Sequence, residues 1–328
     1  MKTLLVKTLC LVLFLAGGNA WAAVMAAETK SPEVRKALSL LDRPSPENFE
    51  KSRTMLNAVL KKNPRNAEAH LGLAHVRILE YTITPQSGAG GLQEAFKHVN
   101  AALKINPNLE DAYLKKSLIL FYTGRKEQGR KLLKTGLSKW PVSRRMHEAY
   151  LAYLLNMGNV KEAEQFSGLK NSRVKNKRDM LIRLGDLWQK AGYPEQAEEC
   201  YEHSLNLGET AQGWAAVGRS NLLKKDCPLA IEFFQRALAI DSRHYAAYND
   251  LAYCYHQTGQ TREAIRWMEA YAQAYPDDLV ALGNLAGLYE GAGEKVKARL
   301  AWMKIEATTR DPRQASLAEE RLEKLKAK

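Results

Sequence analysis

Apolar, small and turn-forming residues recur along the chain with a spacing of 34 residues. One stretch carries the pattern at Tyr248, Leu251, Ala252, Tyr255, Gly259, Ala264 and Pro276. One period later the matching residues are Leu282, Leu285, Ala286, Tyr289, Gly293 and Ala298. A fixed period of this length indicates an array of repeated structural units rather than one large domain.

The residue types at the repeated positions predict two helices in each unit. The recurring glycines suit helix ends, because a left-handed residue there carries no Cβ penalty. Prolines fall at unit junctions, where they stop a helix. Small residues such as Ala230 and Ala264 let the second helix approach the first, and aromatic residues such as Trp188 and Tyr289 fill the wedge between them. One pair of helices cannot bury its own apolar face, so each pair stacks on the next.

This pattern resembles the tetratricopeptide repeat, a helix-turn-helix unit of 34 residues. The resemblance covers nearly all of the chain after residue 22 and implies an all-α fold: a right-handed superhelical solenoid of helix-turn-helix repeats with a C-terminal capping helix. The predicted segments are a partial repeat at 45–66, units at 67–109, 110–143, 144–177, 178–210, 211–244, 245–278 and 279–312, and a capping helix at 313–328.

Three departures from the pattern mark special places in the array. The unit at 67–109 contains about nine extra residues around Thr84–Gly91, interpreted as an insertion between its two helices. The unit that begins at Arg144 loses the pattern after Phe166, so its second helix is expected to be short. Lys225 stands where the other units place their turn glycine.

The first 22 residues are typical of an export signal. Lys2 and Lys7 precede an apolar run, and Ala20-Trp21-Ala22 supplies the small-x-small pattern that a signal peptidase recognises. The run is too short to span a bilayer comfortably. We therefore expect cleavage after Ala22, a segment at 23–44 before the repeats, a periplasmic or secreted protein, and no integral membrane span after cleavage.

Most of the net positive charge is concentrated in one region of the sequence. The formal net charge is +13, and Lys115–Arg178 alone carries sixteen Lys and Arg against four Glu, a net of +12. The candidate basic patch consists of Arg125, Lys126, Arg130, Lys131, Lys134 and Arg144. Two interpretations stay open: a solvated face, or a docking patch for an anionic envelope component such as anionic lipid headgroups, acidic polysaccharide or an acidic protein face. Export makes nucleic acid an unexpected partner.

No catalytic or metal-binding constellation is evident in the sequence. There is no H-E-x-x-H and no G-x-S-x-G, and the repeats leave no room for a catalytic domain. Three cysteines follow the predicted signal segment: Cys200, Cys227 and Cys254. Their number is odd and they are far apart in sequence, so we interpret them as small buried residues rather than as a redox or metal site. We predict no enzyme, no cofactor and no metal.

The resemblance implies a concave groove lined by the first helix of each unit. Carried onto this sequence, the groove residues are Leu118, Tyr122, Arg145, Asp186, Arg219, Asn249, Tyr253 and Asn284. Asparagine amides can pair with the backbone of an extended peptide, and tyrosines are amphipathic interface anchors. The alternative is that Asn249 and Asn284 simply hydrate the groove.

Two functions follow from these features. The first is a non-catalytic protein-protein interaction scaffold of the cell envelope, holding an extended partner segment in the groove. The resemblance implies roles in an envelope assembly, a secretion or pilus machine, or polysaccharide export. The second is an anion-binding surface protein that docks through the basic region 115–178.

Overall fold

A computed structural model describes residues 31–83, 89–167 and 176–326. In these ranges the chain forms seventeen α-helices and one short 3-10 turn, without a β-strand. The helices fall in two compact units, Met1–Tyr193 and Pro194–Lys328, called unit 1 and unit 2 below. The predicted all-α class is confirmed. The predicted signal peptide lies outside the described residues.

Unit 1 contains nine α-helices in its described part. They are α1 (Pro32–Ser39), α2 (Pro46–Lys62), α3 (Ala67–Ile83), α4 (Ala89–Ile105), α5 (Glu110–Tyr122), α6 (Lys126–Lys139), α7 (Arg144–Met157), α8 (Val160–Ser167) and α9 (Lys177–Lys190), with the 3-10 turn Leu40–Asp42 after α1. Neighbouring helices pack as pairs: α3 on α4, α5 on α6, and α7 on α8.

Unit 2 contains the remaining eight helices of the described chain. They are α10 (Pro194–Asn206), α11 (Ala211–Leu223), α12 (Cys227–Ile240), α13 (Tyr245–Gln257), α14 (Thr261–Ala274), α15 (Leu279–Gly291), α16 (Lys295–Thr308) and α17 (Pro312–Lys326). The pairs α11–α12, α13–α14 and α15–α16 stack in order, and α17 packs on α16.

Local sequence signals begin these helices. The Ser45 hydroxyl accepts a hydrogen bond from the backbone N–H of Asn48, and the Ser143 hydroxyl accepts one from Met146, so an orphan donor of the first turn is satisfied. Asp278 does the same at the start of α15, with bonds of 3.1 and 3.0 Å from two backbone N–H groups. Proline follows the cap in α1 and α2, where its missing N–H costs nothing.

The turn glycines adopt the backbone conformation that the sequence predicts for them. Gly124, Gly158, Gly192, Gly259 and Gly293 all have φ between 77° and 88°. This left-handed region is readily available only to glycine, so these positions end one helix and direct the chain into the next.

Lys225 occupies the same left-handed turn conformation with a side chain, at φ 65°. We expect Lys225→Gly to raise the free energy of unfolding by about 1 kcal/mol, because it removes the Cβ clash of a left-handed residue. Urea denaturation of the full chain measures the change. Lys225→Ala is the control: it removes the same side chain but keeps the clash, so it should bring no such gain. Equal stabilisation by both variants would contradict the assignment to backbone strain.

The core is built where the sequence places its small and aromatic residues. Ala230, Ala264 and Ala298 are fully buried, and so is the large ring of Trp188. Tyr255 and Tyr289 are at least nine-tenths buried within the core of unit 2. Interiors are close-packed, so small residues at these positions permit the close helix approach that the aromatic rings then fill.

Part of the insertion predicted in the unit at 67–109 is helical. Gly90 and Gly91, assigned to it above, belong to the first turn of α4. A glycine-rich stretch lowers helix propensity by about 1 kcal/mol per residue, which packing of α4 against α3 overrides. Among the described helices, none combines the length and apolar composition needed to cross a bilayer.

Candidate partner-binding groove

Unit 2 contains an open groove of about 1340 Å³. Residues on α11, α13, α15 and α17 supply most of its walls, with contributions from the start of α12, from α14 and α16, and from the α11–α12 turn. The residues that define it below are Leu223, Lys225, Cys227, Asn249, Asp250, Tyr253, Val280, Gly283, Asn284, Gly287, Leu317 and Arg321. A groove of this size accommodates several residues of an extended chain.

Four large apolar side chains on four different helices are exposed along the groove. Leu223 is 65% exposed, Tyr253 51%, Val280 55% and Leu317 43%. Single exposed apolar residues are ordinary, but several that converge on one concave surface mark an interaction site. A partner that covers these side chains gains a binding free energy of about 25 cal/mol per Å² of apolar area removed from water.

An amide pair adds polar specificity between these apolar positions. The Asn284 Nδ2 donates a hydrogen bond of 2.7 Å to the Asn249 Oδ1, which links α15 to α13 at the groove surface. Beside it lies Asp250, whose pKa is raised by burial and held down in part by the charge of Arg219. A ligand in the groove therefore meets both neutral amides and a half-buried carboxylate.

The α15 wall of the groove is lowered by two glycines one turn apart. A Cβ built on Gly287 meets no atom within 4 Å, so it points into open groove space. A Cβ on Gly283 makes ordinary contacts of 3.7 Å with Ile305 and 3.8 Å with Trp302. Glycine in a helix interior costs about 1 kcal/mol relative to alanine, and here it leaves room for a partner.

Three of the eight sequence-predicted groove residues, Asn249, Tyr253 and Asn284, line this groove directly. Arg219, also in unit 2, lies close enough to Asp250 to lower its pKa. The other four belong to unit 1.

Two of those four, Leu118 and Tyr122, pack on other side chains of unit 1, Leu118 as a buried core residue and Tyr122 partly buried. Leu118 is only 5% exposed and belongs to the core, so its prediction as a contact residue is corrected. The Tyr122 ring packs 5.2 Å from the Tyr81 ring, and burial raises the pKa of its hydroxyl to about 12. Both residues lie where α5 packs on α3 and α4, a contact that repeat spacing alone does not reveal.

Arg145 and Asp186 belong to a charge cluster on α7 and α9. Arg145 forms an ion pair with Asp111. Both Arg145 and Asp186 also act electrostatically on Glu148, whose pKa burial raises. The Nε of Arg183 lies 3.6 Å from the Glu148 carboxylate, so the cluster is mixed in sign.

Several basic-patch residues are held by neighbours within unit 1. The Arg125 guanidinium lies 4.4 Å from the Phe96 ring centroid, and the Lys126 ammonium lies 4.7 Å from that of Phe121. Arg130 donates to both Glu162 oxygens at 3.0 Å.

The other three residues of the patch are also exposed. Arg144 lies 3.5 Å from the Glu148 carboxylate, and Lys131 and Lys134 are exposed on α6. Lys170, Arg173 and Lys175 of the wider basic region fall outside the described residues.

Sequence reasoning missed the groove residues contributed by the chain after residue 311. Leu317 and Arg321 on α17 line the groove, although α17 was interpreted only as a cap. Leu223 and Val280 were also missed. Their signal was an apolar residue at the end or start of a first helix, where the repeat pattern requires none. In the described residues no group of three or more His, Cys, Asp or Glu side chains is arranged to hold a metal ion.

Comparisons with known proteins agree with this architecture. Residues 222–281 match the family model of the tetratricopeptide repeat. The human protein IFIT1 homolog B is 24% identical over 222 residues, which are 66% of this chain and 43% of that protein, so the chain spans less than half of this curated relative. The structure of yeast Tom70 is 16% identical, covers 91% of this chain and 65% of that chain, and superimposes with a TM-score of 0.52. MamA, at 23% identity, covers 53% of this chain and 96% of that chain with a TM-score of 0.40.

The family match runs from the end of α11 to the start of α15, so it contains α12, α13 and α14 in full. The likeness to Tom70 extends the same fold over most of the chain. Residues 222–281 are therefore tetratricopeptide repeat sequence, and most of the chain shares the fold.

Proposed function

We propose that this chain is a non-catalytic scaffold that holds an extended segment of a protein partner in the groove of unit 2. The observation that carries the proposal is the convergence of four exposed apolar side chains on one groove beside an amide pair. Apolar pockets fit alternate side chains of an extended segment, and Asn249 and Asn284 can pair with its backbone. The signal-peptide pattern at residues 1–22 supports a place in the cell envelope, and the family resemblance implies a role there in an assembly, secretion, pilus or polysaccharide-export machine.

Anion docking through the basic region is the second candidate. Lys131 and Lys134 are exposed cations of this region, while Arg130 is engaged by two glutamates. Attraction of an exposed cluster is screened by salt within a Debye length of about 8 Å at physiological ionic strength. Reversing the charges of Lys131 and Lys134 within the groove experiment tests this surface as well.

Site-specific photo-crosslinking distinguishes the two surfaces. With p-benzoylphenylalanine in place of Tyr253, we expect ultraviolet light to yield discrete adducts with a protein of the native envelope. The same probe in place of Leu300, which is 61% exposed but outside the groove, should give none of these adducts.

The charge arm repeats the Tyr253 experiment with Lys131→Glu/Lys134→Glu added. Unchanged adducts support the groove as the binding surface. Loss of the adducts in this variant, at preserved helicity, would assign binding to the basic patch. Equal adducts from the Leu300 probe would also overturn the proposal.

A further inference from the structure

The thiols of Cys227 and Cys254 lie against each other at the side of the groove, although 27 positions separate them in the sequence. Cys227 is the first residue of α12 and lines the groove wall. Cys254 lies near the end of α13 and is fully buried. A side-chain hydrogen bond joins the two thiols. We infer that Cys227 and Cys254 are a disulfide pair that, once oxidised, joins α12 to α13 beside the groove.

The packing of unit 2 explains why these two residues meet. The helices α12 and α13 pack against each other, and both cysteines belong to the core of this unit. The start of α12 therefore lies next to the end of α13. Cys200, the third cysteine among the described residues, is buried on α10.

The difference in exposure gives the two thiols different roles in the reaction. Cys227 is 9% exposed and lines the groove, whereas Cys254 is fully buried, so an oxidant in the groove meets Cys227 first. Burial first, then the charge of Cys227, raises the pKa of Cys254 to about 12. Cys227 is therefore the attacking thiol and Cys254 the resolving thiol.

The reaction needs an external disulfide as oxidant, either oxidised glutathione or the disulfide of a thiol oxidoreductase. The Cys227 thiolate attacks one oxidant sulfur and forms a mixed disulfide, and the other oxidant sulfur leaves as a thiolate. That thiolate takes up the Cys254 proton. The Cys254 thiolate then attacks the Cys227 sulfur and expels the second oxidant sulfur as a thiolate, which takes up the proton that Cys227 lost. Two protein thiols become one disulfide while the oxidant disulfide becomes two thiols, so electrons and protons balance.

This inference is independent of the proposed function, since it concerns the wall of the groove and not its occupant. The crosslink would close a loop of about 27 residues and so restrict the unfolded chain. For a unit of this size we expect the melting temperature to rise by roughly 5–10 °C on oxidation.

The test uses the reduced full chain, incubated with oxidised glutathione and then alkylated. Peptide mass mapping should find the Cys227 and Cys254 peptides joined in a monomer, with a loss of two hydrogen atoms, and the melting temperature should rise. Cys200→Ser should behave like the wild type. Cys227→Ser should lose both the crosslink and the thermal shift.

Three results would overturn the inference. One is a stable glutathione adduct on Cys227 without the internal crosslink. The second is a crosslink of either residue to Cys200. The third is recovery of both thiols free after prolonged oxidation, provided that a model dithiol in the same tube has become oxidised.

Discussion

Replacing Lys115 by methionine is expected to raise the free energy of unfolding at pH 7 by about 2–3 kcal/mol. Lys115 is 1% exposed, on the inner face of α5. Burial first, with a further contribution from Arg145, lowers the pKa of its ammonium to about 7, against the attraction of Asp111. A methionine fills similar space without a charge to desolvate. Asp111 keeps its ion pair with Arg145 in the variant.

The pH dependence of this gain has a definite sign. The folded protein holds Lys115 at a pKa of about 7, below the ordinary 10.5, so the unfolded chain binds more protons between these values. Stability of the wild type therefore rises with pH across that window, at up to about 1.4 kcal/mol per pH unit from this group. The advantage of Lys115→Met should shrink by about 2 kcal/mol from pH 7 to pH 9.

Denaturant unfolding of both proteins at the two pH values measures this difference, in which the other titrating groups largely cancel. Lys116→Met is the matched control, because Lys116 is only partly buried, with its ammonium 5.5 Å from the Phe96 ring centroid. It should change stability by less than about 1 kcal/mol at either pH. If Lys115→Met destabilises the protein at pH 7, favourable interactions of the ammonium in the folded state outweigh its cost of desolvation, and the prediction is wrong.

His75 acts in the same sense at lower pH. It is 2% exposed, and burial first, then the charge of Lys115, holds the pKa of its imidazole well below 6.5. The unfolded chain takes up this proton below about pH 6.5 while the folded chain does not, so stability falls on acidification. Both buried bases thus lower the stability of unit 1 as the pH falls, Lys115 between about pH 10.5 and 7 and His75 below about pH 6.5.

The sequence was a good guide to the repeated features and a poor one to features that occur once. A 34-residue period and left-handed turn glycines are local signals that each unit repeats, so the helix pairs could be predicted. The burial of Leu118 depends on how α5 packs against its neighbours in unit 1. The rotation that brings Leu317 into the groove depends on how α17 packs on α16.

The pairing of Cys227 with Cys254 is another feature that the sequence alone did not predict. Separation by 27 residues matches no redox motif, and only the packing of α12 on α13 brings Cys227 and Cys254 together. By contrast, Asn249, Tyr253 and Asn284 could be found, because the first helix of a repeat has one face that neither its partner helix nor the next pair covers. Position within the repeat predicts which face of its helix a residue occupies. It does not predict which residues from other helices, such as Leu317 on α17, also line that surface.

Gly287→Trp is expected to abolish groove binding while leaving the fold intact, a loss of at least 30-fold in affinity. A Cβ at this position meets nothing within 4 Å, so an indole would extend into the groove that the partner segment must enter. Replacing Gly287 should also stabilise the helix, by up to about 1 kcal/mol when the new residue is alanine. The variant therefore separates loss of binding from loss of stability, which a truncation of Tyr253 does not do as cleanly.

The probe for this experiment is a peptide selected from a random 12-residue display library against the wild-type chain, with its affinity measured by titration calorimetry. Gly287→Ala is the matched control: it should bind the peptide within about threefold of wild type and melt at a slightly higher temperature. Gly287→Trp should keep the helical content and melting temperature of that control but show no measurable heat of binding. Unchanged affinity in Gly287→Trp would mean that the selected peptide binds elsewhere, and the groove of unit 2 would lose its role as the partner-binding surface.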